Sequence, residues 1–215
     1  MGFDVYGVKP KENTKLPKWI VDLEKLEYDK KWKKIEKETK EHPKGRKDEY
    51  FKIKQKWEDE NSGVYFRNNV WWWRPLWEYV CTICDDIISD EEMNGGCVND
   101  GILINENKAT SIAKRLSEKI ADGSVQEYEQ EFMSRVLQAK ADNEEVDKET
   151  KALREEVIKA TGDKNIAPVN YPKKYKTRYD KIRAKENWDG HYPFNTKNVE
   201  QFAKFCNESG GFEIW

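Results

Sequence analysis

The chain reads as a mainly α protein: one helical domain over 1–215, with a small β-pairing of its N- and C-terminal strands and an inserted helical hairpin over 14–60. Three observations carry this. Apolar residues recur at helical spacing through most of the length, helix-starting and helix-stopping residues bracket those runs, and strict alternation appears only near the two ends. The 215 residues are enough for one well-buried core. Charged residues make up 37% and hydrophobic ones only 37%, so much of the chain must be solvated surface, while 13% aromatics, including nine Trp, argue against disorder.

Phe3 and Val5 alternate with polar neighbours and predict a short strand. From Pro17 to about Glu41, Trp19, Ile20, Leu23, Leu26, Trp32 and Ile35 predict one helix. His42–Pro43–Lys44–Gly45 ends it, because the residue before Pro disfavours the α region and Gly turns the chain readily. A second helix carries Tyr50, Ile53 and Trp57 and completes a charged hairpin with a thin apolar stripe. Pro75 suits the first position of a helix, where its missing N–H costs nothing, and Leu76, Val80, Ile83 and Ile87 then line one face. Asn94-Gly-Gly and Asn99-Asp-Gly101 predict a turn-rich loop. Asn105 caps a helix bearing Ala109, Ile112, Ala113, Leu116 and Ile120, which Gly123 stops. Ser124 with Glu127 forms a capping box for a helix that carries Tyr128, Phe132 and Val136 and runs on, highly charged, toward Thr161–Gly162. The stretch 140–190 divides into the end of that helix and a basic, aromatic arm, with 163–190 lacking clear periodicity. Asn195 caps a last helix with Val199, Phe202, Ala203 and Cys206 inward. Gly210–Gly211 ends it, and Phe212 with Ile214 pairs as a strand with Phe3–Val5.

A net charge of −2 gives no global pull toward nucleic acid or a membrane. Local charge is uneven: Lys9 to Lys56 holds seventeen basic and ten acidic residues, and Lys164 to Lys185 eight bases against Asp180 alone. Met1-Gly-Phe-Asp4 shows no secretory pattern, and Tyr6 stands where myristoylation favours Ser or Thr. No stretch approaches a membrane span. Four cysteines do not make a disulfide scaffold, so reduced thiols in a cytoplasm are the simplest expectation.

Met1-Gly-Phe-Asp-Val-Tyr-Gly7, Gly63 through Leu76, Asn99-Asp-Gly101, Tyr192-Pro-Phe-Asn and Gly210-Gly-Phe-Glu-Ile214 resemble an uncharacterised family found in bacterial, phage and marine metagenomic sequences. Its hallmark is the string Tyr-Phe-Arg-Asn-Asn-x-Trp-x-Trp-Arg-Pro-Leu, present here from Tyr65. The resemblance spans about half the chain. Two features depart from it: Lys9 to Asn61 stand where the family has a short linker, and 140–188 lacks the Cys-x-x-Cys-x-Gly knuckles of many members. The resemblance implies a site at the hallmark and names no chemistry. For a phage-encoded chain it implies a host cytoplasm and a counter-defence role.

Within the hallmark, an extended stretch puts Trp71 and Trp73 on one side. With Arg67, Asn68, Asn69 and Arg74 they form a candidate pocket for a flat anionic molecule such as a nucleotide, since rings offer faces and guanidinium and amide groups offer donors. Asn99 and Asp100 lie in a Gly-flanked loop that can reach this cluster. The bland alternative is that the Trp residues fill core and the polar groups tie down its edges. Cys81, Cys84, Cys97 and His191 make the residue count of a Cys₃His zinc site, but Cys-x-x-Cys inside an apolar helix lacks a knuckle's turn residues, and free thiols are preferred. The acids Asp85, Asp86, Asp90, Glu91 and Glu92 have no EF-hand spacing and read as a solvated helix end. Tyr171, Tyr175 and Tyr179 interleave with the bases of Lys173–Lys185, a pattern that can grip single strands, yet an anchored solvated arm is preferred.

No catalytic residue, metal or cofactor is assigned. The preferred function is a non-enzymatic binder of a small anionic ligand, sequestering a host immune signal in the phage setting. The first alternative is a protein-interaction module in which the hairpin's Trp residues meet a host protein. The second is a hydrolase of a phosphorylated or nucleotide-like substrate with Arg67 or Arg74 as the anion clamp, weakened by the shortage of acid–base groups. Oligomeric state is not legible.

Overall fold

The computed structural model describes residues 2–41 and 46–215. The turn expected at His42–Pro43–Lys44–Gly45 lies outside them. The protein is mainly α, with a small four-stranded antiparallel sheet in the order β2-β1-β4-β3, formed by β1 (Gly2–Gly7), β2 (Tyr65–Asn69), β3 (Ile102–Ile104) and β4 (Phe212–Ile214). The expected end-to-end pairing is present, with Val5 opposite Ile214 and Gly7 opposite Phe212. Alternation sends Phe3, Val5, Phe212 and Ile214 into the core. It sends Asp4, Tyr6, Tyr65, Arg67, Leu103 and Glu213 to the outer face.

The residues group into two compact units, Met1–Asp122 with Lys197–Trp215, and Gly123–Thr196. In the first, α9 (Thr196–Glu208) packs beneath the sheet, where Phe66, Phe202, Phe205 and Phe212 form a ring cluster. α4 (Val70–Ile83) adds Trp73, stacked between Phe3 and Trp77 at centroid distances of 5.4 and 5.5 Å. α5 (Asp90–Gly95) and α6 (Glu106–Ala121) follow, and the Asn105 side chain accepts from the Lys108 N–H as the sequence predicts. Gly210 and Gly211, at φ of 62° and 93°, turn the end of α9 into β4 in a conformation that side-chain-bearing residues rarely adopt.

The hairpin has a core of its own. Ile20, Leu23, Ile35 and Tyr50 are buried together, with Trp19 and Trp32 packed against them. The single helix expected from Pro17 to Glu41 is broken into α1 (Lys18–Glu24) and α2 (Tyr28–Glu41). The chain folds back at Leu26, whose N–H donates to Leu23, so that the short first piece lays Ile20 and Leu23 into the core shared with α3 (Arg46–Glu60). Buried Asn61 ties the end of α3 to the strap that leaves β1. Its Oδ1 accepts from the N–H groups of Asn13 and Thr14, and its Nδ2 donates to Thr14 Oγ1 and the Trp57 carbonyl. A Cβ on Gly7 would stand 2.0 Å from the Gly63 carbonyl, and one on Gly63 2.1 Å from that of Glu208, so the ends of β1, α3 and α9 meet backbone to backbone.

The second unit contains α7 (Ser124–Thr161), ended by Gly162, and α8 (Lys173–Arg183). Two expectations are corrected here. α7 starts from Gly123 in the left-handed region with no side-chain cap bond, so Ser124 is its first residue and not its capping-box residue. The supposed irregular arm contains the helix α8, whose Ile182, Tyr175 and Tyr179 pack with Val146 and Leu153 of α7. Only one stripe of so charged a helix is apolar, which is why its periodicity is faint.

Candidate functional site

The hallmark divides between strand and helix at Asn69, five residues before the Arg74–Pro75 boundary expected from Pro75. The Asn69 side chain accepts from the N–H groups of Trp71 and Trp72 at 3.0 and 3.1 Å and so caps α4. Helical geometry then sends Trp71 outward, partly exposed, and Trp73 inward, where it is 0% exposed and donates to the Gly96 carbonyl at 2.8 Å. Trp71 and Trp73 therefore do not share a face, and Trp73 is core. Pro75 sits inside the helix, and Arg74 lies in its second turn, exposed, beside a different cleft from Arg67. Asn68 binds Asn198 of α9 through Nδ2 at 3.0 Å. Asn99 reaches back to the Gly2 carbonyl, tying its loop to β1, and Asp100 is exposed beside it. Of the eight proposed residues, Arg67 alone reaches the cleft described next.

That cleft, of about 490 Å³, opens between the outer face of the sheet and the hairpin. Tyr6 and Tyr65 stand at centroid distance 5.2 Å on the sheet wall, and Trp32 and Phe51 stack at 5.6 Å on the hairpin wall. Phe51, Lys54, Gln55 and Glu58 follow the i, i+3, i+4, i+7 pattern of one helix face, so α3 presents all four together. Tyr65, Arg67, Gln55 and Glu58 also border a more polar neighbouring cleft of about 520 Å³, completed by Ser62, Asp59, and Gln201 and Lys204 of α9.

Two tyrosine–carboxylate pairs hold the walls. The Tyr50 hydroxyl donates to Glu24, which Lys31 and Lys54 also approach at 3.3 and 3.4 Å. Tyr65 donates to Asp4, which Arg67 approaches at 3.4 Å while remaining 65% exposed. Burial and the bonded carboxylates raise both phenols, keeping them proton donors. Burial pushes Glu24 up, but the Tyr50 bond, Lys54 and Lys31 outweigh it and leave the carboxyl below its ordinary range. Glu58 differs: among the described residues its carboxylate has neither a hydrogen bond nor an ion pair, and burial raises its pKa, with Lys54 opposing and Asp59 and Glu24 adding. Lys204 likewise has no ion-pair partner among the described residues. The Trp32 indole N–H is buried with no acceptor among the described residues.

A third cleft, also about 490 Å³, lies between α4 and α5; it is bordered by two of the eight proposed residues, Trp73 and Arg74, together with Trp77, Glu78, Cys81 and Cys97, among others. Burial pushes the Cys81 and Cys84 thiols up to about 12 and raises Cys97 as well, away from the thiolate form that a nucleophile or metal ligand needs. No group of three or more His, Cys, Asp or Glu placed to hold a metal is found among the described residues. Two acids of the acidic run are engaged in structure: Ser89 and Glu92 form a capping box for α5, Glu92 pairs with Lys108, and Asp86 forks onto Arg115. Four of the eight bases of the basic run in the second unit are in ion pairs, Lys176 with Asp180, Arg178 with Glu156, Arg183 with Glu186 and Lys185 with Glu149. No helix is long and apolar enough to cross a membrane among the described residues.

Compared with family models, curated proteins and solved structures, the chain matches none.

Proposed function

We propose that this is a non-enzymatic binding protein whose cleft between sheet and hairpin takes a small, flat, negatively charged molecule of the nucleotide type. The observation that carries the reading is two ring pairs, Tyr6–Tyr65 and Trp32–Phe51, lining one cleft beside Arg67. A planar base gains apolar contact and ring stacking from such walls. Its anionic group would meet Arg67 and Lys204 in the adjoining polar cleft, which Glu58 and Asp59 also border. The ring role thus moves from Trp71 and Trp73 to residues of four other elements, while Arg67 keeps its part. The phage resemblance adds a setting, retention of a host immune signal, that needs tight binding and no chemistry. The hairpin's tryptophans weaken the interaction-module alternative: Trp19 and Trp32 pack on the hairpin core and Trp57 donates to the Thr14 carbonyl.

Thermal-shift and calorimetric titration of the full chain against mononucleotides and cyclic dinucleotides test the reading. A ligand that binds only the native state raises the melting temperature. The shift should vanish in Phe51→Ala and in Arg67→Ala, both exposed positions whose loss costs the fold little. No shift with any of these compounds, or one untouched by both substitutions, contradicts it. The hydrolase reading now rests on Glu58, an unpaired carboxyl in the cleft, and ends if the nucleotides stay intact on chromatography after incubation with and without divalent metals.

A further inference from the structure

Among the described residues one carboxylate, Glu58, lines the ring-walled cleft, and two more, Glu24 and Asp4, are bonded to tyrosines that line it. Glu24 accepts from Tyr50 and pairs with two lysines; Asp4 accepts from Tyr65 and pairs with Arg67. Glu58 borders both compartments, and its carboxylate receives no hydrogen bond from the described residues. We propose that Glu58 selects guanine, its carboxylate accepting hydrogen bonds from the N1–H and 2-amino groups of a base held between the ring walls. This inference rests on the nucleotide reading of the same cleft and adds to it which base is taken.

The chemistry follows from matching edges. An ionised carboxylate is acceptor-only, with two oxygens side by side. Guanine is the common base that sets two donors next to each other on its pairing edge. Adenine and cytosine set an amino donor beside a ring-nitrogen acceptor, whose lone pair would face a carboxylate oxygen. Uracil has one N–H between two carbonyls. Gln55, one turn before Glu58 and lining the same cleft, carries an amide N–H₂ suited to the guanine carbonyl. A half-buried carboxylate with no protein donor is a standing cost to the fold. Guanine relieves that cost and other bases deepen it, the circumstance in which polar discrimination is large.

Calorimetric titration of the full chain with GMP, IMP and AMP tests this, in the wild type and in Glu58→Gln. Charge-assisted bonds of this kind predict that GMP binds about ten- to a hundred-fold more tightly than AMP. IMP, which lacks only the 2-amino group, should fall between them. The glutamine amide presents one donor and one acceptor, so Glu58→Gln should erase the preference while leaving AMP bound. AMP binding as well as GMP in the wild type, or a guanine preference that survives Glu58→Gln with its fold verified by near-ultraviolet circular dichroism, overturns the inference and leaves nucleotide binding standing. The wild-type comparison of the three nucleotides decides even if the variant fails to fold. Absence of binding by all three overturns the nucleotide reading with it.

Discussion

Replacing Asn61 with Ala should loosen the joint that sets the hairpin over the sheet. The side chain is 0% exposed and makes four hydrogen bonds, two accepted from the Asn13 and Thr14 N–H groups at 2.6 and 3.1 Å, and two donated to Thr14 Oγ1 and the Trp57 carbonyl at 2.8 and 2.7 Å. At about 1 kcal/mol net for each bond, the set is worth roughly 4 kcal/mol. Asn13 and Thr14 are otherwise exposed, so water can replace part of what the two backbone donors lose. An expected loss of about 3 kcal/mol remains. Urea unfolding followed by tryptophan fluorescence measures it; with a slope of about 2 kcal/mol per molar, the midpoint falls by roughly 1.5 M. Because α3 supplies the Phe51–Glu58 face, affinity for any cleft ligand should fall as well. A loss under about 1 kcal/mol would show that the strap is held by something other than Asn61, and the account of how the cleft is fixed would be refuted.

Glu58→Gln should stabilise the free protein at neutral pH. The folded-state pKa of Glu58 is raised above the ordinary 4.5, chiefly by burial, so stability is full below that value and is lost as pH rises through the folded pKa. The melting temperature of the variant should therefore exceed that of the wild type at pH 7, with the gap narrowing below pH 4.5; a pH-independent difference, or a less stable variant at pH 7, speaks against it. Asn69→Ala removes the cap of α4 and should cost about 1 kcal/mol in urea unfolding while leaving cleft affinity unchanged; a selective loss of binding would return Asn69 to the site. Gly96→Ala places a Cβ 2.2 Å from the buried Trp77 ring, and overpacking of that kind costs about 1–3 kcal/mol, so an unchanged melting temperature would contradict the packing of α5 on α4.

Where local chemistry decides a feature, the sequence already shows it. Alternation at Phe3–Val5 and Phe212–Ile214 marks two paired strands, Asn105 starts α6, and Gly123 and Gly162 bracket α7. Where competing local signals meet, it misleads. Pro75 suggests a helix start, yet Asn69 supplies the cap bonds earlier, and a shift of five residues is enough to part Trp71 from Trp73. β3 is three residues long, too short for any period, and joins the sheet only because β4 offers it an edge. The binding walls are least legible. Tyr6, Trp32, Phe51 and Tyr65 come from four elements, and each residue alone reads as ordinary stripe or strand. The helix-face spacing of Phe51, Lys54, Gln55 and Glu58 was the available signal, visible once α3 is known to turn that face toward β2.

A crystal structure of the full chain grown with GMP tests the central claim most directly. The account predicts the base between the Tyr6–Tyr65 and Trp32–Phe51 walls with its pairing edge on Glu58, and the phosphate toward Arg67 and Lys204. Nucleotide bound instead in the α4–α5 cleft beside Arg74 and Cys97, with the ring walls empty at saturating ligand, would contradict it.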